Sequence, residues 1–401
     1  MDIEDKLAYY RSKKQTAQPV KQATERISAP LKALTEILDA EIIKPNAPYL
    51  KIVKTHSLPP EWIQNSEINL KLLSKNQITQ AIPIEQCLFF DLETTGLAGG
   101  AGTYPFLLGF GFFKDAALKV EQFFLPDYGR EYDLFKELHE FFEQFSYLIS
   151  YNGKSYDYPL LKNRFVVNRL NSEWNHWQHI DLLHIARRIW SDSFPSRDLA
   201  TIEREVLNRE RSGDIPGHLI PQSYFHFIRS GAIQDILRII EHNYLDTISL
   251  GELLLYYGRL EADPSIIADD SALMRLAVLA EETDNFSCFA RIIERFSQKG
   301  MTLPAKMLFL RSRFYKRQKK WPAALADWRQ LVTCRSHTFY ALEELAKYFE
   351  HIRKDHQQAL HYTEKALEYF RTLSELNPYS LKADIRDDFQ KRRKRLLRKL
   401  S

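Results

Sequence analysis

In the stretch CLFFDLETTGLAGG, residues 87–100, an apolar run leads into two acids, Asp91 and Glu93. Residues two apart on a strand project to one face, so these carboxylates stand side by side. Like charges so placed are costly unless a cation lies between them. The chemistry on offer is oxygen ligation of a hard cation; the plain alternative is a solvated strand end. A third acid, Asp157, lies in YLISYNGKSYDYPLLKNRF (147–165). That stretch reads as strand, a turn at Asn152 and Gly153, then a helix with Pro159 in its first turn. An Asp at such an entry also serves as an N-cap. In EHNYLDTISL (241–250), His242 and Asp246 are four apart and share a helix face. They read as a hydrogen-bonded surface pair or as part of a zinc site, although the further His or Cys spacing zinc requires is missing.

The elements that must position these residues alternate. QCLFFDLE, YPFLLGFGFF, KVEQFFL and SYLISYN read as strands; EYDLFKELHEFFEQF, YPLLKNRFVVNRL and AIQDILRIIEHNYLDTISLGELLLYYGRL read as helices. This predicts an α/β domain over residues 83–262 with a central sheet. Residues 1–82 read as an N-terminal arm, partly helical or disordered and packed in part on the body. From 265 to 385 only helical patterns occur, so an all-α domain follows. WPAALADW begins at Trp321 and HQQALHYT at His356, thirty-five residues on, which sets Ala324 against Ala359. One more step back reaches Phe286. A period near 34 with alanine at a tight helix contact resembles tetratricopeptide repeats; the plain alternative is an irregular helical bundle. Residues 386–401 read as a basic tail holding Lys391, Arg392, Arg393, Lys394, Arg395, Arg398 and Lys399.

Composition narrows the class. The 401 residues are 44% hydrophobic, enough for a proper core, and the net charge of +4 is too small to name a partner. Three scattered cysteines, Cys87, Cys288 and Cys334, argue against a disulfide framework or a cysteine zinc knuckle. No signal-like or membrane-spanning apolar run is visible, and a cytoplasmic location is expected.

Taken together, DLETTG, YNGKSYDYP and HNYLD resemble the ribonuclease H-like superfamily of DEDD 3′→5′ exonucleases. The resemblance is closer to one bacterial branch, the YprB-type ribonuclease H-like domain, through ETTGLAGGAGTYPFLLGFG, HIDLLHIARRIW and RSGDIPGHLIPQSYFHF. It covers residues 85–258 and extends to helical repeats behind the catalytic domain. It implies a mixed central sheet flanked by helices, and four acidic metal ligands: Asp91, Glu93, Asp157 and Asp246. Two Mg²⁺ or Mn²⁺ ions held by carboxylate oxygens would generate the nucleophile and stabilise the leaving oxygen of a phosphodiester. By the same resemblance Asp91 bridges both ions, Glu93 and Asp246 complete one site and Asp157 holds the other, partly through water.

His242, one turn before Asp246, is the candidate general base. Histidine bases of the superfamily usually stand five residues before the last acid and tyrosines four; here a histidine takes the tyrosine spacing. Gly96, Gly99, Gly100 and Gly102 permit close approach of backbone to a ligand, or simply form a hairpin loop. The resemblance assigns the backbone after DLET, with Thr94 and Gly96, to the terminal nucleotide, and Leu97 to a wedge against its base. Asn152 and Lys154 are candidates for phosphate contact, Lys154 being equally a solvated loop lysine. Asp181 is expected at the edge of the site in a structural role, and Asp214 and Pro216 in a turn that shapes its wall. Tyr224, Phe225 and Phe227 read as core, with base stacking the alternative.

The expected partners are nucleic acid, engaged as a single-stranded 3′ end, and a protein segment on the helical repeats. The basic tail is a further phosphate-contact candidate. The rival reading is a catalytically silent scaffold on a nuclease fold, against which stands the retention of all four acids.

Overall fold

The computed structural model describes residues 20–43, 48–63, 65–96, 102–127, 131–171, 177–298, 302–376 and 383–401. The chain divides into two compact units, Met1–Ala262 and Asp263–Ser401. The first begins with α1 (Val20–Leu38), β1 (Glu41–Ile43), β2 (Tyr49–Ser57), β3 (Glu67–Ile68) and β4 (Ile82–Pro83). It continues through β5 (Cys87–Thr94), β6 (Pro105–Lys114), β7 (Ala117–Phe124), α2 (Tyr132–Phe142), β8 (Tyr147–Ser150), α3 (Asp157–Val167) and β9 (Gln178–Asp181). Four helices close it: α4 (Leu182–Trp190), α5 (Leu199–Val206), α6 (Ile220–Ser230) and α7 (Gln234–Ala262).

One mixed sheet of seven strands has the order β1-β2-β7-β6-β5-β8-β9, flanked by helices; β3 and β4 pair separately. β5, β6 and β7 form an antiparallel meander, which short loops permit. β8 runs parallel to β5, and β9 to β8. A parallel neighbour requires a long crossover, and α3 supplies it between β8 and β9. Aromatic side chains fill one face: Phe110, Phe123, Phe142 and Phe165 are buried together, and Tyr224 stacks on Phe106 with ring centroids 3.9 Å apart. Each such ring contributes roughly 2–3 kcal/mol through burial. Tyr224 and Phe227 are therefore core side chains, while Phe225, read with them, is only half-buried.

The sheet is wider than the alternating pattern indicated. β2 lies within the segment assigned to an arm, yet pairs with β7 from Leu50–Phe124 to Ser57–Ala117. Tyr49, Leu50 and Ile52 are fully buried, which binds this segment into the core. β9 comes from the start of HIDLL, which has too few residues to show strand periodicity. The protein has no helix, among the described residues, that is long and apolar enough to cross a membrane.

The second unit is helical: α8 (Asp270–Glu282), α9 (Phe286–Gln298), α10 (Ala305–Arg317), α11 (Trp321–Thr333), α12 (Thr338–Lys347), a π-helical turn over Tyr348–Arg353, α13 (His356–Leu376) and α14 (Ala383–Leu400). Successive helices pack on one another. The segment read as a basic tail is helical. It lies in α14, which packs along α13 and buries Phe389 and Leu396. The buried carboxylate of Glu350 draws in Arg392, Arg395 and Lys399 at 2.7, 2.9 and 3.0 Å. Three of the seven basic side chains of the run are thus engaged within the unit by one carboxylate.

Candidate active site

Asp91 lies within β5 and is paired in register with Gly109 of β6, which pairs in turn with Gln122 of β7. Helix α7 packs on β5, β6 and β7. A Cβ on Gly109 would stand 2.3 Å from Asn243 Oδ1 and 2.7 Å from Thr247 Oγ1, so only glycine allows the helix to come this near. The buried Asn243 amide fills the contact. Its Nδ2 donates to the backbone oxygen of Asp91 at 3.1 Å and to Asp91 Oδ2 at 2.8 Å. Its Oδ1 accepts from Gln122 Nε2 at 2.8 Å. One amide therefore ties the helix bearing His242 and Asp246 to the strand bearing Asp91 and Glu93.

The loop after β8 brings the remaining acid. Asn152 has a φ of +63°, and Gly153 follows so closely on Ser150 that a Cβ there would stand 2.7 Å from Ser150 Cβ and 3.1 Å from Asp157 Oδ2. Asp181 holds this loop, accepting from the backbone nitrogens of Asn152 and Lys154 at 2.8 and 3.2 Å while capping α4 through Leu183 N. Asp157 opens α3, and the residue before it, Tyr156, makes no side-chain cap hydrogen bond.

The four acids share one field. Burial, then Asp246 and Asp157, push Asp91 well above the usual carboxylate range, against the hydrogen bond from Asn243 and the charge of Arg211. Burial, then Asp91, Asp246, Asp157 and Asp214, push Glu93 up in the same way. Burial and Asp181, with a contribution from Asp246, raise Asp157 to about 7. Asp91, Glu93 and Asp157 are each penalised by neighbouring acidic charge.

His242 faces this cluster. Its Nε2 is 3.7 Å from Glu93 Oε1 and 3.6 Å from Asp246 Oδ2. Its Nδ1 is 2.7 Å from Asp214 Oδ1. Asp214 is held below the usual carboxylate range: burial opposes this, but the His242 and Arg211 contacts outweigh it. An ionised carboxylate only accepts, so the contact with Asp214 places a proton on Nδ1, a nitrogen that Arg211 Nη1 also approaches at 3.3 Å. Asp214 thus orients the imidazole, a role beyond shaping the wall.

Arg211 completes the network. Its Nε donates to Glu203 Oε2 at 2.7 Å, its Nη1 to Asp214 Oδ2 at 3.1 Å, and its Nη2 to Asp246 Oδ1. Sequence reasoning passed over Arg211, Glu203 and Asn243. Arg211 opens the RSGDIPG segment, and Asn243 adjoins His242. Spacing alone gives no sign that the chain folds these groups together.

The donor set fits a hard divalent cation in its chemistry: several carboxylate oxygens brought close together. Among the described residues, however, no group of three or more His, Cys, Asp or Glu side chains is arranged to hold a metal ion. Two of the oxygens concerned are turned elsewhere, Asp246 Oδ1 to Arg211 and Asp91 Oδ2 to Asn243.

The other predicted residues divide. Thr94 Oγ1 donates to the Gly96 backbone oxygen at 2.8 Å, closing the strand end. A side chain at Gly96 would make only ordinary contact, with Thr103 Oγ1 at 3.7 Å. Lys154 Nζ donates to the His179 backbone oxygen at 3.2 Å, and the backbone nitrogens of Asn152 and Lys154 donate to Asp181. Leu97, Gly99 and Gly100 lie outside the described residues.

Residues 88–257 match the RNase_H superfamily. Over 294 residues the chain is 33% identical to the uncharacterized protein YprB of Bacillus subtilis (strain 168), a span covering 72% of this chain and 70% of that protein. Among solved structures, a family B DNA polymerase from the hyperthermophilic archaeon Pyrobaculum calidifontis aligns with a TM-score of 0.34 and 15% identity. That alignment spans 53% of this chain and 30% of the polymerase.

Proposed function

The chain belongs to the RNase_H superfamily and to the family of Bacillus subtilis YprB, and on that premise we propose that it is a metal-dependent 3′→5′ exonuclease that hydrolyses phosphodiester bonds of DNA or RNA. The observation that carries this reading is the convergence of Glu93 and Asp246 on His242 Nε2, with Asp91 tied to the same helix by Asn243 and Asp157 close enough to act on Asp91 and Glu93. Such a set is costly in water alone and apt for cations. Two bound Mg²⁺ or Mn²⁺ ions would supply a nucleophile at neutral pH and stabilise charge on the leaving oxygen. Asp91, Glu93, Asp157 and Asp246 are the residues that would hold them.

The side chains do the rest. His242 Nε2 accepts a proton from the attacking water, and Asp214 stabilises the imidazolium that results. Asn243 fixes one oxygen of Asp91 and so orients the other. The 3′ polarity, and the contact of the terminal nucleotide with Thr94, Gly96 and Leu97, rest on the resemblance of DLETTG to the DEDD exonucleases. Asn152 and Lys154 stand on the loop leading to Asp157, where a phosphate of the strand is accommodated. The second unit is read as degenerate tetratricopeptide-like pairs that engage a protein segment. In support, Ala324 and Ala359, one repeat apart, are both fully buried.

A silent scaffold is favoured by one observation, the lack of a metal-ready group among the described residues. Incubating the protein and Mn²⁺ with linear and circular single strands of DNA and of RNA separates the readings. An exonuclease degrades the linear strands and spares the circles. Cleavage of circles contradicts exonucleolytic action, and no cleavage of any strand supports the scaffold.

A further inference from the structure

Arg211 is nearly buried, and its guanidinium is shared among three carboxylates on three elements. Glu203, on α5, holds it through two bonds and is itself buried, its Oε1 also accepting from Ser249 Oγ. Asp214, in the loop before α6, holds it through Nη1. Asp246, on α7, is the third partner and the only one of the three among the proposed metal ligands. Ser249, one turn on from Asp246 along α7, secures Glu203 from the far side and also accepts from Arg209 at 2.6 Å. The anchorage on Glu203 and Asp214 is thus independent of Asp246. A guanidinium carries five donors and stays charged at any working pH. It can therefore release one carboxylate without losing its place on the others.

We infer that Arg211 is a resident counter-ion for Asp246, occupying that carboxylate until a divalent cation displaces it while Glu203 and Asp214 retain the guanidinium. The inference rests on the metal-dependent reading above. It accounts for a site whose ligands have the right chemistry yet stand closed: the cation the cluster needs is supplied in part by the chain itself. It implies that cation entry competes with an internal ion pair, so binding is weaker than the carboxylates alone would give.

The test is Mn²⁺ binding by the full chain, followed by calorimetry and by the shift in melting temperature. Four proteins are compared: wild type, Arg211→Lys, Glu203→Gln/Arg211→Gln, and Asp91→Asn/Glu93→Gln as the site-dead reference. The paired Gln variant removes both charges, so Glu203 is not left as a buried unpaired anion, and circular dichroism checks that it folds. Binding at the site, taken as that lost in the reference, should tighten on the order of tenfold or more in the paired variant, because Asp246 is released from its ion pair while the net charge of the region is unchanged. Arg211→Lys, which keeps the charge, should stay near wild type. Equal or weaker Mn²⁺ binding in the folded paired variant overturns the inference, because Arg211 would then only position Asp246. If wild type and paired variant both bind no more than the reference, the metal-dependent reading falls as well.

Discussion

Asn243 Nδ2 donates to Asp91 Oδ2 at 2.8 Å, and this bond exists only because Gly109 opposite has no side chain. Gly109→Ala should force α7 away from the sheet, since its Cβ would fall 2.3 Å from Asn243 Oδ1. The expected cost is about 1–3 kcal/mol, the range for overpacking a tight interior. Nuclease activity should fall further than this loss of stability accounts for, because Asp91 and Asp246 are pulled apart. Urea denaturation, alongside strand degradation at a temperature where the variant stays folded, checks both. Full activity in the folded variant would mean that this contact does not set the site.

Asp214→Asn tests the orientation of His242. The amide keeps the shape, yet it no longer obliges Nδ1 to carry the proton and no longer stabilises an imidazolium. General bases contribute roughly 10²–10⁴-fold, so losing the orienting charge should cost about 10- to 100-fold in kcat with KM little changed. The tautomer itself is visible in ¹⁵N resonances of the imidazole. An unchanged kcat would leave the 2.7 Å contact a structural one.

The acid cluster predicts a pH dependence of stability in the metal-free protein. Asp157, raised from 3.8 to about 7, holds its proton more tightly folded than unfolded. Its stabilising contribution is complete below pH 3.8 and is lost as pH rises through about 7. The melting temperature should decline across this window, and Asp157→Asn or saturating Mg²⁺ should flatten the decline. A profile that wild type and variant share would contradict the coupling.

Glu350 predicts the opposite slope at lower pH. Burial alone would raise it, but hydrogen bonds from Arg395 and Lys399 and the charges of Arg395 and Arg392 bring it from 4.5 to about 2. The stability it contributes is present above pH 4.5 and is lost as pH falls toward 2. At about 1.4 kcal/mol per pH unit this amounts to about 3 kcal/mol. Glu350→Gln should destabilise the helical unit by about that much at neutral pH and remove its acid sensitivity, as read by calorimetry. The same contacts make deletion of residues 386–401 a poor probe of nucleic-acid binding, because the deletion also strips the partners from a buried carboxylate.

Much of the fold was legible because its strands carry long apolar runs. β5, β6, β7 and β8 were each visible, and so was α7. β2 was not, because YLKIVKTHS alternates with lysines in a stretch otherwise rich in turns. The basic run at 391–399 misled because charge density cannot reveal a buried acid some forty residues earlier in the chain. Of the site, the acids and His242 were legible as types at telling spacings. Asn243, Arg211 and Glu203 were not, since a polar residue declares its partner only when the chain closes on it. The reason for Gly109 lies in a helix more than a hundred residues away.

The central claim is that these acids support hydrolysis from a 3′ end. Its most direct measurement follows 3′- and 5′-labelled single-stranded DNA and RNA, with Mn²⁺, against the wild type and Asp91→Asn/Glu93→Gln. Stepwise shortening from the 3′ end of at least one polymer, lost on chelation and absent in the variant, is the predicted result. Intact strands with the wild type, or equal degradation by the variant, would contradict it.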